Sequence, residues 1–134
     1  MKGTAIILLV LGTPLVQAAT PGEILASYRA EATRVSPGYR PSVAQGAHLY
    51  GRQFGVSEKM PACSGCHTAR PSQPGRHVVT DKAIKPLAPT ANAERFTDPA
   101  KVEKWFRRNC TEVVGRECSA AEKADFMTFV MEGR

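Results

Sequence analysis

Hydrophobic residues in this chain fall into an apolar leader, four stretches of helical period and one long interval with no period at all. The leader is Ala5 to Leu11 (AIILLVL), preceded by Lys2 and followed by Val16-Gln17-Ala18. An apolar run this short falls well below the roughly 20 residues a membrane span requires, and the small residues after it suit a signal peptidase. Residues 1–18 are therefore expected to be a signal peptide, cut after Ala18 or, alternatively, after Ala19. An uncleaved anchor is the less favoured reading of the same residues.

Residues 21–34 combine helical composition with an early Pro21 and with Ile24, Leu25 and Tyr28 at i, i+1, i+4 spacing. Ser36-Pro37-Gly38 should stop that helix. A second is expected from Ser42 to about Phe54, with Val43, Gly46, Ala47, Tyr50 and Phe54 on one face and Gly46 admitting a close backbone. Asp98 can cap a third, whose first turn takes Pro99 without cost and whose face carries Val102, Trp105, Phe106 and Asn109. Ser119-Ala120-Ala121-Glu122 has the capping-box pattern and should open a fourth, with Ala120, Ala124, Met127, Val130 and Met131 facing inward and Phe126 and Phe129 beside them.

The interval from 68 to 97 differs. Pro71, Pro74, Pro86 and Pro89, with Gly75, bar a long helix, and β-branched residues are too sparse for a sheet. So long an irregular stretch in a small domain is expected to wrap something, and a large flat cofactor would supply the missing core. The pattern as a whole predicts a mostly α, single-domain protein. Residues 19–42 form an N-terminal helical extension and residues 43–134 the domain proper.

Charge refines this picture modestly. The chain has 18 Lys and Arg against 12 acidic residues, and Lys2 leaves with the leader, so the mature protein carries about +5. That balance favours an acidic partner, or simply a soluble basic surface. The basic residues are scattered, so no nucleic-acid site is expected, and no second apolar run is long enough to span a membrane.

The chemistry lies in Cys63-Ser64-Gly65-Cys66-His67. This C-x-x-C-H pattern is the attachment signature of c-type haem. Two intervening residues let both thiols reach the vinyl groups on one porphyrin edge, and the adjacent histidine is delivered to one face of the iron. A redox dithiol would need a βαβ setting, and zinc would need two further ligands at matching spacing; neither is present. Cys63 and Cys66 are the expected covalent haem ligands and His67 the expected axial ligand. The other pair, Cys110 and Cys118, lacks a following histidine. In an oxidising compartment it reads as a disulfide, with two free buried thiols as the alternative.

The sixth iron position decides function, because it sets the potential and the access of small ligands. Met60 lies too close to the attachment motif to reach the opposite face. Met127 and Met131 sit on an apolar helix face, where core packing is the ordinary role, and His48 and His77 would give bis-histidine ligation. Asn109 interrupts an apolar stripe with a carboxamide; either it caps the helix end or its oxygen binds iron.

The tract Arg95-Phe-Thr-Asp-Pro-Ala-Lys-Val-Glu-Lys-Trp-Phe-Arg-Arg-Asn-Cys110, followed by Gly115-Arg-Glu-Cys118, resembles the sphaeroides haem protein family of small exported cytochromes c. The likeness runs from about Gly46 to the C-terminus and includes Lys82-x-Ile84-x-Pro86-Leu87-Ala88-Pro89; Asp81 stands where glycine is expected. Residues 19–42 lie outside it. The resemblance implies a cytochrome c-like fold around one covalent haem c and a periplasmic location. It also implies Asn109 as axial ligand of ferric iron and Cys110–Cys118 as a disulfide. Function follows by the same implication: O2 or NO binding by ferrous haem once Asn109 is released, with electrons exchanged with a partner such as a dihaem cytochrome c. An oxygen- or nitrogen-oxide-linked oxidoreductase activity is compatible with those features. The competing expectation is a low-spin electron carrier with methionine ligation.

Overall fold

The computed structural model describes residues 18–132, so the signal-peptide expectation, apart from Ala18, lies outside the described residues. Among the described residues there are five helices and one minimal hairpin: α1 (Pro21–Val35), α2 (Val43–Gly51), α3 (Cys63–His67), β1 (Gly75–Arg76), β2 (Ala83–Ile84), α4 (Pro99–Val114) and α5 (Ala120–Met131). The strands pair antiparallel with Gly75 opposite Ile84 and Arg76 opposite Ala83. This short ladder is the one place where the 68–97 interval departs from the expected absence of sheet.

Each of the four longer helices begins where its sequence supplies an acceptor for orphan amides. Thr20 and Glu23 form a capping box on α1, Ser42 accepts from Gln45 N on α2, Asp98 accepts from Lys101 N on α4, and Ser119 and Glu122 form the second box on α5. Gly115 ends α4 in the left-handed conformation, φ 82°. Helix α2 stops at Gly51, a turn before the expected end at Phe54, whose N–H instead donates to the Pro61 carbonyl.

Helix α5 lies at the centre. Gly46 of α2 presses against it so closely that a Cβ there would overlap the Asp125 carbonyl oxygen and fall 2.7 Å from Phe129 Cβ. On its other side α1 packs through Ile24, Tyr28 and Ala32. Because neighbours surround it, α5 buries Lys123 and Asp125 along with Ala124, Met127 and Val130, where a one-sided apolar face was expected. Each buried charge is paired: Asp125 accepts from Tyr39 OH (2.7 Å) and Ser42 N (2.7 Å), and Lys123 meets Glu103.

On α4 the buried row is Val102, Phe106, Cys110 and Val113, while Trp105 is 41% exposed and Asn109 half-buried on the neighbouring flank. The expected grouping of Trp105 with Val102 and Phe106 is therefore corrected. At 100° per residue the true inward row passes between positions 102 and 106, leaving 105 and 109 at its edge.

Candidate haem site

Helix α3 is a single turn made of the Cys63–His67 motif. Cys63 and Cys66 stand one turn apart and remain free thiols, whereas Cys110 and Cys118 are joined, S–S 2.01 Å. Burial pushes the Cys63 thiol up to about 11, further raised by Cys66 and only partly offset by its own backbone amide. A redox dithiol at a helix start has a lowered thiol instead, so this pair is chemically unlike one. The His67 imidazole is pushed down to about 4, first by burial and then by the charges of Arg95 and His77. It is neutral at neutral pH, the form that offers a lone pair to a metal.

Several side chains hold this turn in place. Tyr50, 2% exposed, donates its hydroxyl to the Thr68 carbonyl (2.6 Å), with the His67 carbonyl 2.9 Å away. Its ring packs on Phe126 and Phe129, centroids 6.0 and 5.2 Å apart, so α5 backs the histidine through α2. Thr68 leaves the helix at φ 63°, a costly conformation for a β-branched residue, while its hydroxyl donates to the Arg70 carbonyl at 3.0 Å. Such strain persists only where surrounding contacts impose it, here immediately after His67. The Val78 N–H reaches Cys66 Sγ at 3.5 Å.

Gly75 of β1 lies against the same turn. A Cβ on it would overlap the Cys66 carbonyl oxygen and sit 3.0 Å from His67 Cα. The hairpin that follows needs a left-handed residue, and Asp81 takes that conformation, φ 55°. This is the position where glycine was expected; aspartate tolerates it and is held by Arg76 Nη1, which donates to its backbone carbonyl at 2.8 Å and pairs with Oδ2 at 3.1 Å. Downstream, Leu87 and Ala88 both donate to the carbonyl of buried Pro71, and Arg95 donates to the carbonyls of Lys85 (2.7 Å) and Pro86 (2.8 Å). The proline-rich interval is thus a tied scaffold, and it brings Arg95 and His77 near enough to act on His67.

The remaining expected residues lie on α4 and α5. Cys63 packs against the apolar cluster that contains Phe106 and Cys110, so the attachment turn and α4 face one core. Asn109 precedes the disulfide-bonded Cys110, and among the described residues its carboxamide makes no hydrogen bond with any other group. Met127 is 0% exposed inside the core, whereas His48 is on the surface. His77 accepts two backbone N–H bonds at Nδ1, from Val79 (3.3 Å) and Thr80 (3.2 Å).

These features fit a covalent haem. Two free thiols and a neutral histidine share one braced turn, and Val78, whose N–H reaches Cys66 Sγ, is 47% exposed beside it. Sequence reasoning missed Tyr50 as a brace and Gly75 as a contact. Tyr50 was legible as a buried position, but nothing in the sequence says which carbonyls its hydroxyl meets.

Comparisons agree with this chemistry. Residues 37–130 match a family described as a domain of unknown function, DUF1924. The c-type protein SHP of Cereibacter sphaeroides is 39% identical over 120 residues, 89% of this chain and 88% of that one. That alignment takes in α1, which the sequence resemblance had left aside. Cytochrome c'' of Methylophilus methylotrophus is 42% identical over 92 residues, 68% of this chain, and the match spans 64% of that relative's length. A solved structure of oxidized SHP, described as an oxygen binding cytochrome c, superposes with TM-score 0.76 at 38% identity, covering 84% of this chain and 96% of that one.

Proposed function

Because the chain belongs to the family of small monohaem c-type cytochromes that includes SHP and cytochrome c'', we propose that it binds diatomic ligands on reduction, after Asn109 leaves the iron, and exchanges electrons with a cytochrome partner. Covalent haem c is its cofactor. When bound, that group supplies one-electron chemistry at iron and an axial position open to O2 or NO.

Cys63 and Cys66 would hold the group through their thiols, and His67 would supply a nitrogen to its iron. Tyr50 and the strained Thr68 fix the backbone on which that imidazole stands, so this ligand does not move. Asn109 is the movable one. Its amide oxygen is a hard, weak donor suited to ferric iron and poorly suited to the softer ferrous state. The Cys110–Cys118 bond pins the adjacent backbone, so release needs only side-chain rotation. A dihaem cytochrome c in the periplasm is the partner we favour, drawn to the basic surface.

The observation that carries the reading is the half-buried Asn109 carboxamide, without an internal partner and one residue from a fixed disulfide. No buried side-chain polar atom among the described residues lacks a partner, so the amide reaches solvent and its oxygen can bind iron without giving up a hydrogen bond inside the protein. Buried Met127 offers nothing comparable. Asn109→Ala should shift the ferric absorption spectrum and speed ligand entry. An unchanged ferric spectrum, or a ferrous form unreactive to CO and NO in the natural protein, sinks the proposal.

A further inference from the structure

Lys123 is a lysine buried to 8% exposure in the middle of α5, and that placement needs a reason. Its Nζ lies 2.6 Å from Glu103 Oε1 on α4, and the other carboxylate oxygen accepts from Tyr28 OH of α1 at 2.7 Å. The ammonium also sits 5.3 Å from the centre of the Tyr28 ring and 6.0 Å from that of Phe106. Those two rings meet edge to face at 5.7 Å. Three helices therefore close on one knot of charge, hydroxyl and aromatic faces. An ion pair whose lysine is buried and whose carboxylate is half-exposed adds little net stability, because desolvation offsets its attraction; what it can do is select one geometry over its neighbours.

The geometry at stake is the roll of α4 about its own axis. Glu103 and Asn109 stand about 120° apart around that helix, with Phe106 midway between them on the buried row. A tie on the Glu103 flank therefore decides where the Asn109 flank points. We propose that Tyr28, Glu103 and Lys123 are positioning residues that hold α4 in the roll that brings Asn109 to the iron. The inference rests on Asn109 being the axial ligand. A roll of about 10° carries an oxygen about 6 Å from the helix axis through about 1 Å, enough to disrupt an axial bond. The N-terminal helix, whose Tyr28 precedes the stretch matched by the family model, thereby becomes part of the ligand site.

The test uses full-length holoprotein carrying Tyr28→Phe, which keeps the ring and removes only the hydroxyl, and Glu103→Gln, which keeps the shape and removes the charge. Each is followed by its ferric absorption spectrum, by the rate of imidazole binding to ferric protein, and by hydrogen exchange along α4. Expected are a shifted ferric absorption spectrum, imidazole binding faster by about fivefold, the size of one net hydrogen bond, and faster exchange in α4 than in α5. Lower thermal stability with an unaltered spectrum and imidazole rate overturns the clamp and leaves the knot a merely structural feature. Asn109→Ala run alongside separates the two failures. If it alters the spectrum and Tyr28→Phe does not, the clamp alone falls; if neither does, the ligand assignment falls and the clamp with it.

Discussion

Replacing Gly75 with alanine should damage the haem site from a residue that touches no haem-binding side chain. The new Cβ would overlap the Cys66 carbonyl oxygen and lie 3.0 Å from His67 Cα and 3.1 Å from the Cys66 carbonyl carbon. Carbon atoms rest comfortably at about 3.5–4.0 Å. All three opposing atoms are backbone, so no rotamer change relieves the overlap, and β1 must move away from α3 by about 1 Å. Overpacking of this kind costs about 1–3 kcal/mol, and the rigid partners argue for the upper end. For a domain of this size that is a fall in Tm of about 10–15 °C. Displacement of β1 also removes the Val78 N–H from Cys66 Sγ, so haem attachment during maturation should suffer. Thermal unfolding by circular dichroism and the haem-to-protein ratio from pyridine haemochrome absorbance measure both effects. Gly51→Ala is the control: no atom lies within 4 Å of its Cβ position, so the better helix former should be neutral or stabilise by up to about 1 kcal/mol. A Gly75→Ala protein with native Tm and full haem content would refute the packing argument.

Three further outcomes are expected. Replacing Cys110 and Cys118 together by serine should cost roughly 2–3 kcal/mol, seen as a lower denaturant midpoint, and should also speed exogenous ligand binding because the backbone beside Asn109 is released. Arg116 lies 2.7 Å from Glu122 and holds its carboxyl down at about 2, the hydrogen bond from Arg116 outweighing burial. A depressed carboxylate contributes stability above its unfolded value near 4.5 and loses it as pH falls toward 2. Arg116→Ala should therefore cost no more than about 1 kcal/mol at neutral pH, given the exposed guanidinium, with the difference from the natural protein vanishing in acid; a constant gap down to the acid limit would contradict this. Electron exchange with an acidic cytochrome should slow as salt shortens the Debye length from about 30 Å to 3 Å, and a salt-independent stopped-flow rate would remove electrostatic steering from the account.

What the sequence makes legible, and what it does not, divides along physical lines. Local signals are readable because their partners lie within a few residues: the Ser119–Glu122 box, Asp98 before Pro99, Gly115 after α4, and the C-x-x-C-H turn all appear where their spacing puts them. Asp81, where only the family resemblance led to glycine being expected, takes the left-handed conformation that glycine favours. Amphipathic period was a poorer guide to which face is inward. On α5 it found Ala124, Met127 and Val130 but not the buried Lys123 and Asp125 of a helix enclosed from more than one side, and it grouped Trp105 with the buried row of α4 when that residue stands at its edge. Long-range pairings were invisible, since no local pattern announces that Tyr28 will reach Glu103 across 75 residues or Tyr50 the carbonyl of Thr68. On the proposed ligand set, these unannounced pairings are the ones that would fix ligand geometry. The motif residues decide that iron is held at all, while residues with no chemistry of their own, Gly75, Tyr50 and the Tyr28–Glu103–Lys123 knot, decide how firmly each face of it is held. The imidazole side is braced by strained backbone and a buried hydroxyl. The proposed carboxamide side would hang on a helix tied at one flank and one disulfide. An asymmetry of that kind suits an iron whose one ligand stays and whose other leaves.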